Sequence, residues 1–434
     1  QDLNDPNDEA LHRKLVKASM TVLKNQKQIL PIKDLKKNKK IAYLSLGDDS
    51  GEIFFETLNK YTSVKRFPAE NYEKLNQNLS DFDLVIIGYH TSNDHPWKSF
   101  KLSKNELTLL NQIARKTKLI FSVFASPYSL LDVVSFSNIE GMIVAYQNSS
   151  IAQQNAAQAI FGAIEAKGKL PVSIKQDFPV GAGIETPNLK RLQYSSPESA
   201  GMSSEKLSKI DSVAELVLTK KMAPGLQILV ARHGHVIYQK SFGFHTDQKM
   251  NSVKNNDVYD VASLTKILAT LPMMMKAEEE DKIQLNAAVK DVLPKYRKSN
   301  KDTLLIQEIL SHYGRLKAWI PFYKLTQDSI TNSNLKEFYR AKKSKKYNIK
   351  VAENLYLLSS YKDSIYKYIK DSEQREKLEY KYSDLGYYIF QKVLERKYKK
   401  SLDILVHNEF YESLGANNMT YLPLKKMKKS LYIM

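Results

Sequence analysis

The sequence contains no cysteine among its 434 residues. That absence excludes disulfide bonds, a thiol nucleophile and thiolate metal ligands, and it leaves the cellular compartment undecided. No apolar run reaches the length of a membrane-spanning helix, because the longest are strand-sized. His233 and His235 stand at the tip of a predicted hairpin, where a metal site would need further ligands, so a polar turn is expected. We therefore predict no metal, no cofactor and no membrane span.

Negative charge is scarce relative to positive charge, since 66 lysines and arginines stand against 47 acidic residues, for a net charge of +19. Lysines are interleaved with acids, and no nucleic-acid-binding module is recognisable. The surplus therefore predicts solvated loops, such as residues 36–40 and 342–346, and no nucleic-acid partner. The hydrophobic fraction of 42% is typical of a globular protein, and the length suffices for two or three domains.

Strands and helices alternate in the first part of the chain. An opening helix over residues 8–24 is predicted to bury one apolar face, formed by Leu11, Leu15, Ala18 and Val22. Four predicted strands are apolar throughout, at residues 41–46, 84–89, 119–125 and 142–146. Strands of that kind are covered on both faces. The sequence therefore predicts an α/β domain with a doubly wound parallel sheet in residues 1–175.

Several segments of this region resemble the C-terminal α/β sandwich of glycoside hydrolase family 3. The matching segments are residues 23–25, 29–32, 143–149, 156–162 and 168–173. In that family the catalytic aspartate lies on a preceding barrel domain, and no barrel precedes this region. The resemblance therefore implies an accessory domain, and no glycosidase residue is carried over to it.

Residues 176–200 are rich in proline and glycine and lack periodicity, which predicts a linker. A second domain is predicted over residues 201–434. It begins with a helix that has one apolar face, followed by a hairpin with strands at 226–231 and 236–242. Residues 285–415 are helical in character.

Ser263 and Lys266 lie three residues apart, in a stretch predicted as a strand end, a tight turn and the first turn of a helix. That spacing places both on one helical face. A serine nucleophile needs a nearby base, and a lysine can be that base if burial lowers its pKa. It also needs hydrogen-bond donors to the oxyanion, and the first N–H groups of a helix can be those donors. Apolar flanks distinguish this pair from three others: Ser203/Lys206, Ser359/Lys362 and Ser364/Lys367. A second interpretation stays open, in which Ser263 caps the helix and Lys266 is solvated.

Tyr382 and Asp384 form a second candidate site element. Tyr382 can relay the serine proton, and Asp384 can contact the substrate. The alternative is structural, with Asp384 as the N-cap of the following helix and Tyr382 as a packed side chain.

These motifs resemble those of penicillin-binding proteins and class C β-lactamases, with Ser263-Leu-Thr-Lys266 as Ser-x-x-Lys and Tyr382-Ser-Asp384 as Tyr-x-Asn. The resemblance implies acyl transfer, in which Ser263 attacks an ester or amide carbonyl. Lys266, kept neutral by burial, and Tyr382 would move its proton. Asp384 would contact the substrate or orient Lys266. Because the family usually has asparagine at that position, the aspartate argues against a dedicated β-lactamase.

Two further features bear on this resemblance. Trp319, Phe322 and Tyr323 are candidate walls of a substrate pocket, with an ordinary aromatic cluster as the alternative. The family's third motif, Lys-Thr-Gly or His-x-Gly on a later strand, is not found after Tyr382. We therefore expect an incomplete α+β domain that lacks its C-terminal strands, and impaired activity.

Two alternatives to a serine hydrolase stay open at this point. One is a fragment of a β-N-acetylglucosaminidase-like family 3 glycosidase. Another chain would then supply its barrel, and another chain could likewise supply the missing C-terminal strands. The other is an inactive truncated product. The domain order resembles Bacteroidetes-type fusions of barrel, α/β sandwich and serine hydrolase. That resemblance implies a small-molecule or peptidoglycan-type substrate and a periplasmic or envelope location.

Overall fold

The computed structural model describes residues 5–35, 40–67, 79–92, 95 and 97–426. Most of the predicted lysine-rich loop at 36–40 and the last residues, 427–434, lie outside the described residues. The chain divides into two compact units, Gln1–Tyr259 with Tyr411–Met434, and Asp260–Phe410. That residues 176–200 form a linker between two domains stays a prediction.

The first unit is an α/β domain followed by a helix and a hairpin. Its helices are α1 (Pro6–Ser19), α2 (Glu52–Asn59), α3 (Lys104–Lys116), α4 (Ser150–Ile160) and α5 (Ser204–Thr219). Its strands are β1 (Thr21–Asn25), β2 (Ile41–Gly47), β3 (Val64–Phe67), β4 (Leu84–His90), β5 (Leu119–Phe124), β6 (Gly141–Val144), β7 (Gln193–Tyr194), β8 (Gly225–Arg232) and β9 (His235–Gly243).

Six strands form one sheet in the order β1-β6-β5-β4-β2-β3. β1 is antiparallel to β6, and every other pair is parallel. All residues of β4 and β5 are buried. Residues of β2 alternate between two apolar clusters, with Ile41 and Tyr43 in one and Ala42 and Leu44 in the other. Both faces of the sheet are therefore covered, and the predicted doubly wound sheet is confirmed.

The opening helix is shorter than the sequence pattern predicts, and it buries a different residue. α1 ends at Ser19, and the chain continues at once into β1, where Val22 is buried in the sheet. Leu11 and Leu15 are 55% and 61% exposed, whereas Val16 is buried. The prediction was wrong because one apolar pattern spanned two elements, so Val22 belongs to the two-residue period of a strand.

The segment 176–200 returns to the sheet domain. Ile184 N–H donates to the Val22 carbonyl at 2.7 Å. The Arg191 guanidinium donates to the Ile32 and Phe161 carbonyls, each at 2.7 Å. Side-chain and backbone hydrogen bonds thus hold this segment against the first unit, although it has little regular structure.

The predicted hairpin is confirmed, with β8 antiparallel to β9 and β7 added beside β9. His233 and Gly234 take positive φ angles of 51° and 80° at its tip, as a tight turn requires. Ser203 caps α5 by accepting from the Lys206 N–H. That Ser-x-x-Lys pair is therefore a helix cap.

The second unit is helical with one small sheet that the sequence pattern did not predict. Its helices are α6 (Leu271–Glu279), α7 (Val289–Val292), α8 (Ile306–Leu310), α9 (Tyr361–Asp371), α10 (Leu385–Tyr398) and α11 (Leu402–Val406). β10 (Tyr339–Arg340), β11 (Ile349–Ala352) and β12 (Leu355–Leu357) form an antiparallel sheet in the order β10-β12-β11. π-Helical turns occupy Lys266–Thr270 and His407–Tyr411. α12 (Pro423–Lys426), which belongs to the first unit, ends the described chain.

Candidate active site

Ser263 lies on a short 3₁₀ turn, Ala262–Leu264, and its side chain is exposed. Ala262 has a φ of 41°, which a non-glycine residue rarely adopts and which costs about 1–3 kcal/mol. The Asp260 carboxylate accepts from the Ala262 N–H at 2.8 Å and stabilises this conformation. The strained residue thus stands immediately before the candidate nucleophile.

The helix after Ser263 differs from the α-helix that the sequence predicts. Lys266–Thr270 forms a π-helical turn, and α6 begins after it. Pro272 stands in the first turn of α6, directly after the π-helical turn. The irregularity therefore precedes the proline, and the wide turn carries Lys266.

Three polar side chains converge around Ser263. Tyr382 OH donates to Ser263 Oγ at 2.9 Å, and Lys266 Nζ donates to the same oxygen at 3.1 Å. Lys266 Nζ also lies 2.6 Å from Asp384 Oδ1. The structure therefore brings all four predicted site residues together, and Ser263 Oγ has hydrogen bonds of a length suited to proton transfer.

Lys266 is not the neutral lysine that the sequence predicts. Burial lowers its pKa, but the hydrogen bonds and charge of Asp384 and Tyr382 raise it more, so the pKa lies above its ordinary value. Its ammonium also lies 5.1 Å from the centroid of the Tyr382 ring. The expectation was wrong because burial does not act alone, and a carboxylate in contact keeps the ammonium protonated.

Asp384 occupies the N-cap position of α10, yet its side chain makes no capping hydrogen bond. It pairs with Lys266 instead. The backbone N–H of Asp384 donates to the Ala318 carbonyl at 2.8 Å. The carboxylate is thus held by its backbone and directed to the lysine, which favours the site interpretation over the capping one.

His312 is a site element to which the sequence pattern assigned no role. Its Nδ1 accepts from the Ser383 N–H at 3.2 Å, and its ring centroid lies 4.7 Å from that of Tyr382. Burial lowers the pKa of His312, and the positive charge of Lys266 lowers it further, so the ring is neutral near pH 7. His312 therefore packs on Tyr382 and supports the backbone next to it. A positive φ of 62° at this residue has no signature in the sequence.

Ser383 also supports the Tyr382 loop. It is 4% exposed, its Oγ donates to the Lys317 carbonyl at 2.6 Å, and it accepts from the Leu385 N–H at 3.1 Å. A buried hydroxyl with two backbone partners fixes the direction of its neighbours, Tyr382 and Asp384.

The three candidate wall residues differ in their surroundings. Phe322 packs edge-on against Tyr388 at 5.8 Å between ring centroids and belongs to an aromatic cluster. Trp319 and Tyr323 are 56% and 53% exposed. Trp319 directly follows Ala318, whose carbonyl binds the Asp384 N–H. Of the three residues, Trp319 is thus the one tied through the backbone to the candidate site.

The described residues contain neither a candidate metal-binding cluster nor a candidate membrane-spanning helix. Among those residues, no group of three or more histidine, cysteine or acidic side chains could hold a metal ion. None of their helices is both long enough and apolar enough to cross a membrane.

Comparison with protein families gives two matches along the chain. The model of the "Glycosyl hydrolase family 3 C-terminal domain" matches residues 20–206. The model of the "Beta-lactamase" family matches residues 211–429, which is half of the chain and includes all four candidate site residues.

Curated relatives match the second half. An N-acetylmuramyl-L-alanine amidase of Bacillus subtilis is 23% identical over 254 residues, covering 55% of this chain and 52% of the relative. A Salmonella gallinarum protein provisionally named as a D-alanyl-D-alanine carboxypeptidase is 26% identical over 250 residues, covering 54% and 52%. The chain thus spans about half the length of the curated relatives it matches.

Solved structures give weaker likenesses. A class C β-lactamase from Rhodobacter sphaeroides is 17% identical, with a TM-score of 0.35, over 47% of this chain and 48% of that one. A glycoside hydrolase family 3 β-N-acetylglucosaminidase from Paenibacillus sp. is 16% identical, with a TM-score of 0.32, over 40% and 34%. The family matches, and not these scores, carry the assignment.

Proposed function

Because this chain belongs to the β-lactamase family, with a glycoside hydrolase family 3 C-terminal domain before the serine hydrolase domain, we propose that it hydrolyses an ester or amide by acyl transfer through Ser263. The observation that carries this proposal is the convergence of Tyr382 OH and Lys266 Nζ on Ser263 Oγ, at 2.9 and 3.1 Å. A serine oxygen held between two proton-active groups is the arrangement that nucleophilic catalysis requires.

The charge of Lys266 decides how the proton moves. A protonated lysine cannot accept the serine proton, so Tyr382 is the base. Tyr382 first loses its own proton to solvent water, and the adjacent ammonium stabilises the resulting phenolate. The phenolate then takes the Ser263 proton as Oγ bonds to the carbonyl carbon, and returns it to the leaving group as the acyl bond breaks.

Hydrolysis of the acyl-enzyme reuses the same groups in the same order. Tyr382 accepts a proton from water, the hydroxide attacks the acyl carbon, and Ser263 recovers the proton. The Ser263 N–H supplies one donor to the oxyanion formed in both steps. Asp384 orients Lys266 through the 2.6 Å ion pair.

The substrate class proposed here is a cell-wall peptide or ester, and the location is the cell envelope. The support is that the amidase and carboxypeptidase relatives carry names of enzymes acting on muramyl and D-alanyl groups. The predicted impairment of the site stays a prediction. So does the alternative that the first domain serves a glycosidase barrel.

Hydrolysis assays test the proposal. The probes are p-nitrophenyl acetate, an N-acylated D-alanyl-D-alanine peptide and a chromogenic cephalosporin. Ser263→Ala should lower turnover by about 100-fold or more, because no other group replaces the nucleophile. Ser203→Ala is the matched control, since Ser203 belongs to a Ser-x-x-Lys pair that caps a helix. Equal turnover by the parent and Ser263→Ala would refute the role of Ser263, and no turnover by a folded parent would confirm the impairment.

A further inference from the structure

A second candidate site lies in the first unit, outside the catalytic residues. A cavity of about 340 Å³ opens between α1, α4 and the residues that follow β7. Its polar lining includes Lys14, Lys17, Asn155, Ser195, Ser199 and His235. We call this cavity the α1 cleft. A volume of that size accommodates a small organic molecule.

Asn155 is the feature that points to a ligand. The residue lies on α4, is 5% exposed and lines the α1 cleft. Its Nδ2 has no hydrogen-bond partner among the described residues. A buried amide donor without a partner costs about 1–3 kcal/mol. Protein atoms enclose this amide nitrogen, so the side chain must turn toward the cleft to meet an acceptor oxygen there, and that contact would remove the cost.

The charge of the cleft indicates the sign of the ligand. Lys14, Lys17 and Arg13 line it, and no carboxylate does so among the described residues. Glu9 offsets part of this charge, because its carboxylate lies 2.8 Å from Arg13 Nε. Lys17 donates to the Gln193 side-chain oxygen at 3.3 Å, and its charge also interacts with the carboxylate of Glu165, which does not line the cleft. The cleft therefore keeps a positive surplus.

His235 is affected by that surplus and belongs to a hydroxyl network. Burial lowers the pKa of His235, and the charges of Lys17 and His233 lower it further, so the ring is neutral near pH 7. Ser195 Oγ lies 3.0 Å from His235 Nδ1, and Ser199 Oγ lies 2.9 Å from Ser196 Oγ. The cleft thus combines cationic groups with neutral hydrogen-bonding groups.

We propose that the α1 cleft binds a small organic anion, whose charged oxygens contact Lys14 and Lys17 and accept from Asn155 Nδ2. A carboxylic acid fits better than inorganic phosphate, because Ala10 and Leu11 add apolar lining that an organic body can contact. The 55% exposure of Leu11 would then fall on binding. This site does not depend on Ser263, so the two proposals fail independently.

Calorimetric titration of the full chain at low ionic strength tests this inference. Three probes are compared: N-acetyl-L-alanine, its neutral amide and inorganic phosphate. Lys17→Glu reverses one charge in the cleft, and Lys209→Glu, at an exposed position on α5, is the matched control. Asn155→Leu removes the amide donor, and its thermal midpoint reports whether it folds.

The expected result is saturable binding of the carboxylate and not of its amide. The dissociation constant should rise at least tenfold in Lys17→Glu and in folded Asn155→Leu, and stay unchanged in Lys209→Glu. Binding of phosphate alone would overturn the organic ligand and leave an oxyanion site. Failure of all three probes to bind, or equal binding by parent and Lys17→Glu, would overturn the inference.

Discussion

At the scale of single residues, the contact between Lys266 and Asp384 decides the chemistry. A buried lysine without a carboxylate nearby would lose its proton easily and could serve as the base. The 2.6 Å ion pair has the opposite effect and keeps the ammonium protonated. In the proposed mechanism, an aspartate where the family usually has asparagine therefore moves the role of base to Tyr382.

The substitution Asp384→Asn tests that division of roles. Removing the carboxylate should lower the pKa of Lys266, so the ammonium loses its proton at a lower pH. If the ammonium stabilises the Tyr382 phenolate, the alkaline limb of kcat/KM against pH should move down by about one unit or more. The profile is measured with p-nitrophenyl acetate.

Asp363→Asn, an exposed carboxylate on α9, is the control for that profile and should leave it unchanged. An alkaline limb that stays in place in Asp384→Asn, or moves up, would show that the proton on Lys266 is not required.

At the scale of elements, the turn before the π-helix positions the candidate nucleophile. Ala262 is in the left-handed region at φ 41°, and the Asp260 carboxylate accepts a hydrogen bond from its N–H. Such strain persists only where the surrounding structure imposes it. The Ala262–Leu264 turn is therefore a specific geometry, which a plain α-helix start would not provide.

Ala262→Gly should relieve this strain. Because glycine adopts positive φ without a steric cost, we expect a gain of about 1 kcal/mol in the free energy of unfolding. The looser turn should also lower kcat several-fold. Urea unfolding and ester hydrolysis measure the two effects.

Ala287→Gly is the comparison, because Ala287 lies outside the left-handed region. Glycine there should lower the free energy of unfolding, since it gains only flexibility in the unfolded chain. A loss of stability in Ala262→Gly as well would mean that its positive φ carries no strain.

Elements also show where sequence patterns succeed and fail. Uniformly apolar strands such as β4 and β5 predicted the sheet, because burial of both faces leaves a direct mark on composition. The predicted extent of the opening helix was wrong, because Val22 continues the helical spacing of apolar residues but lies in strand β1. The β10–β12 sheet was missed because its strands are exposed or only half-buried and leave no long apolar run, although β11 and β12 form a local hairpin. The charge of Lys266 depends on Asp384, which is distant in sequence. His312 was missed for the same reason.

At the scale of the whole molecule, the candidate site and the six-stranded sheet belong to different units. The predicted order, a family 3 C-terminal domain before a β-lactamase-type domain, is confirmed by the family matches. The candidate catalytic residues all lie in the unit Asp260–Phe410. The first unit contributes a sheet domain whose core contains a buried titratable residue, His90.

His90 links the stability of the molecule to pH. It is fully buried at the end of β4, with Nε2 2.9 Å from Tyr43 OH and Nδ1 2.9 Å from Asn148 Oδ1. Burial lowers the pKa of His90 from 6.5 to about 4. The unfolded chain therefore binds a proton that the folded chain does not. Stability from this group is present above pH 6.5 and is lost as the pH falls toward 4, by about 3 kcal/mol.

His90→Gln should therefore reduce the loss of stability between pH 6.5 and 4. His12→Gln, an exposed residue of α1, should behave like the parent chain. The comparison is needed because the net charge of +19 rises as carboxylates are protonated and also favours unfolding in acid. Urea unfolding at several pH values measures the free energy of unfolding of each variant. If that free energy falls equally with pH in the parent and in His90→Gln, the proposed role of His90 is contradicted.

The central claim is that Ser263 is an activated nucleophile, and covalent labelling tests it most directly. The purified chain is treated with a fluorophosphonate and, separately, with a fluorescent penicillin, and the modified peptide is identified by mass spectrometry. The geometry predicts one adduct on Ser263 in the parent chain and none in Ser263→Ala, with labelling lost in Tyr382→Phe. A folded parent chain that no probe labels at Ser263, or equal labelling of Ser263→Ala, would contradict the claim.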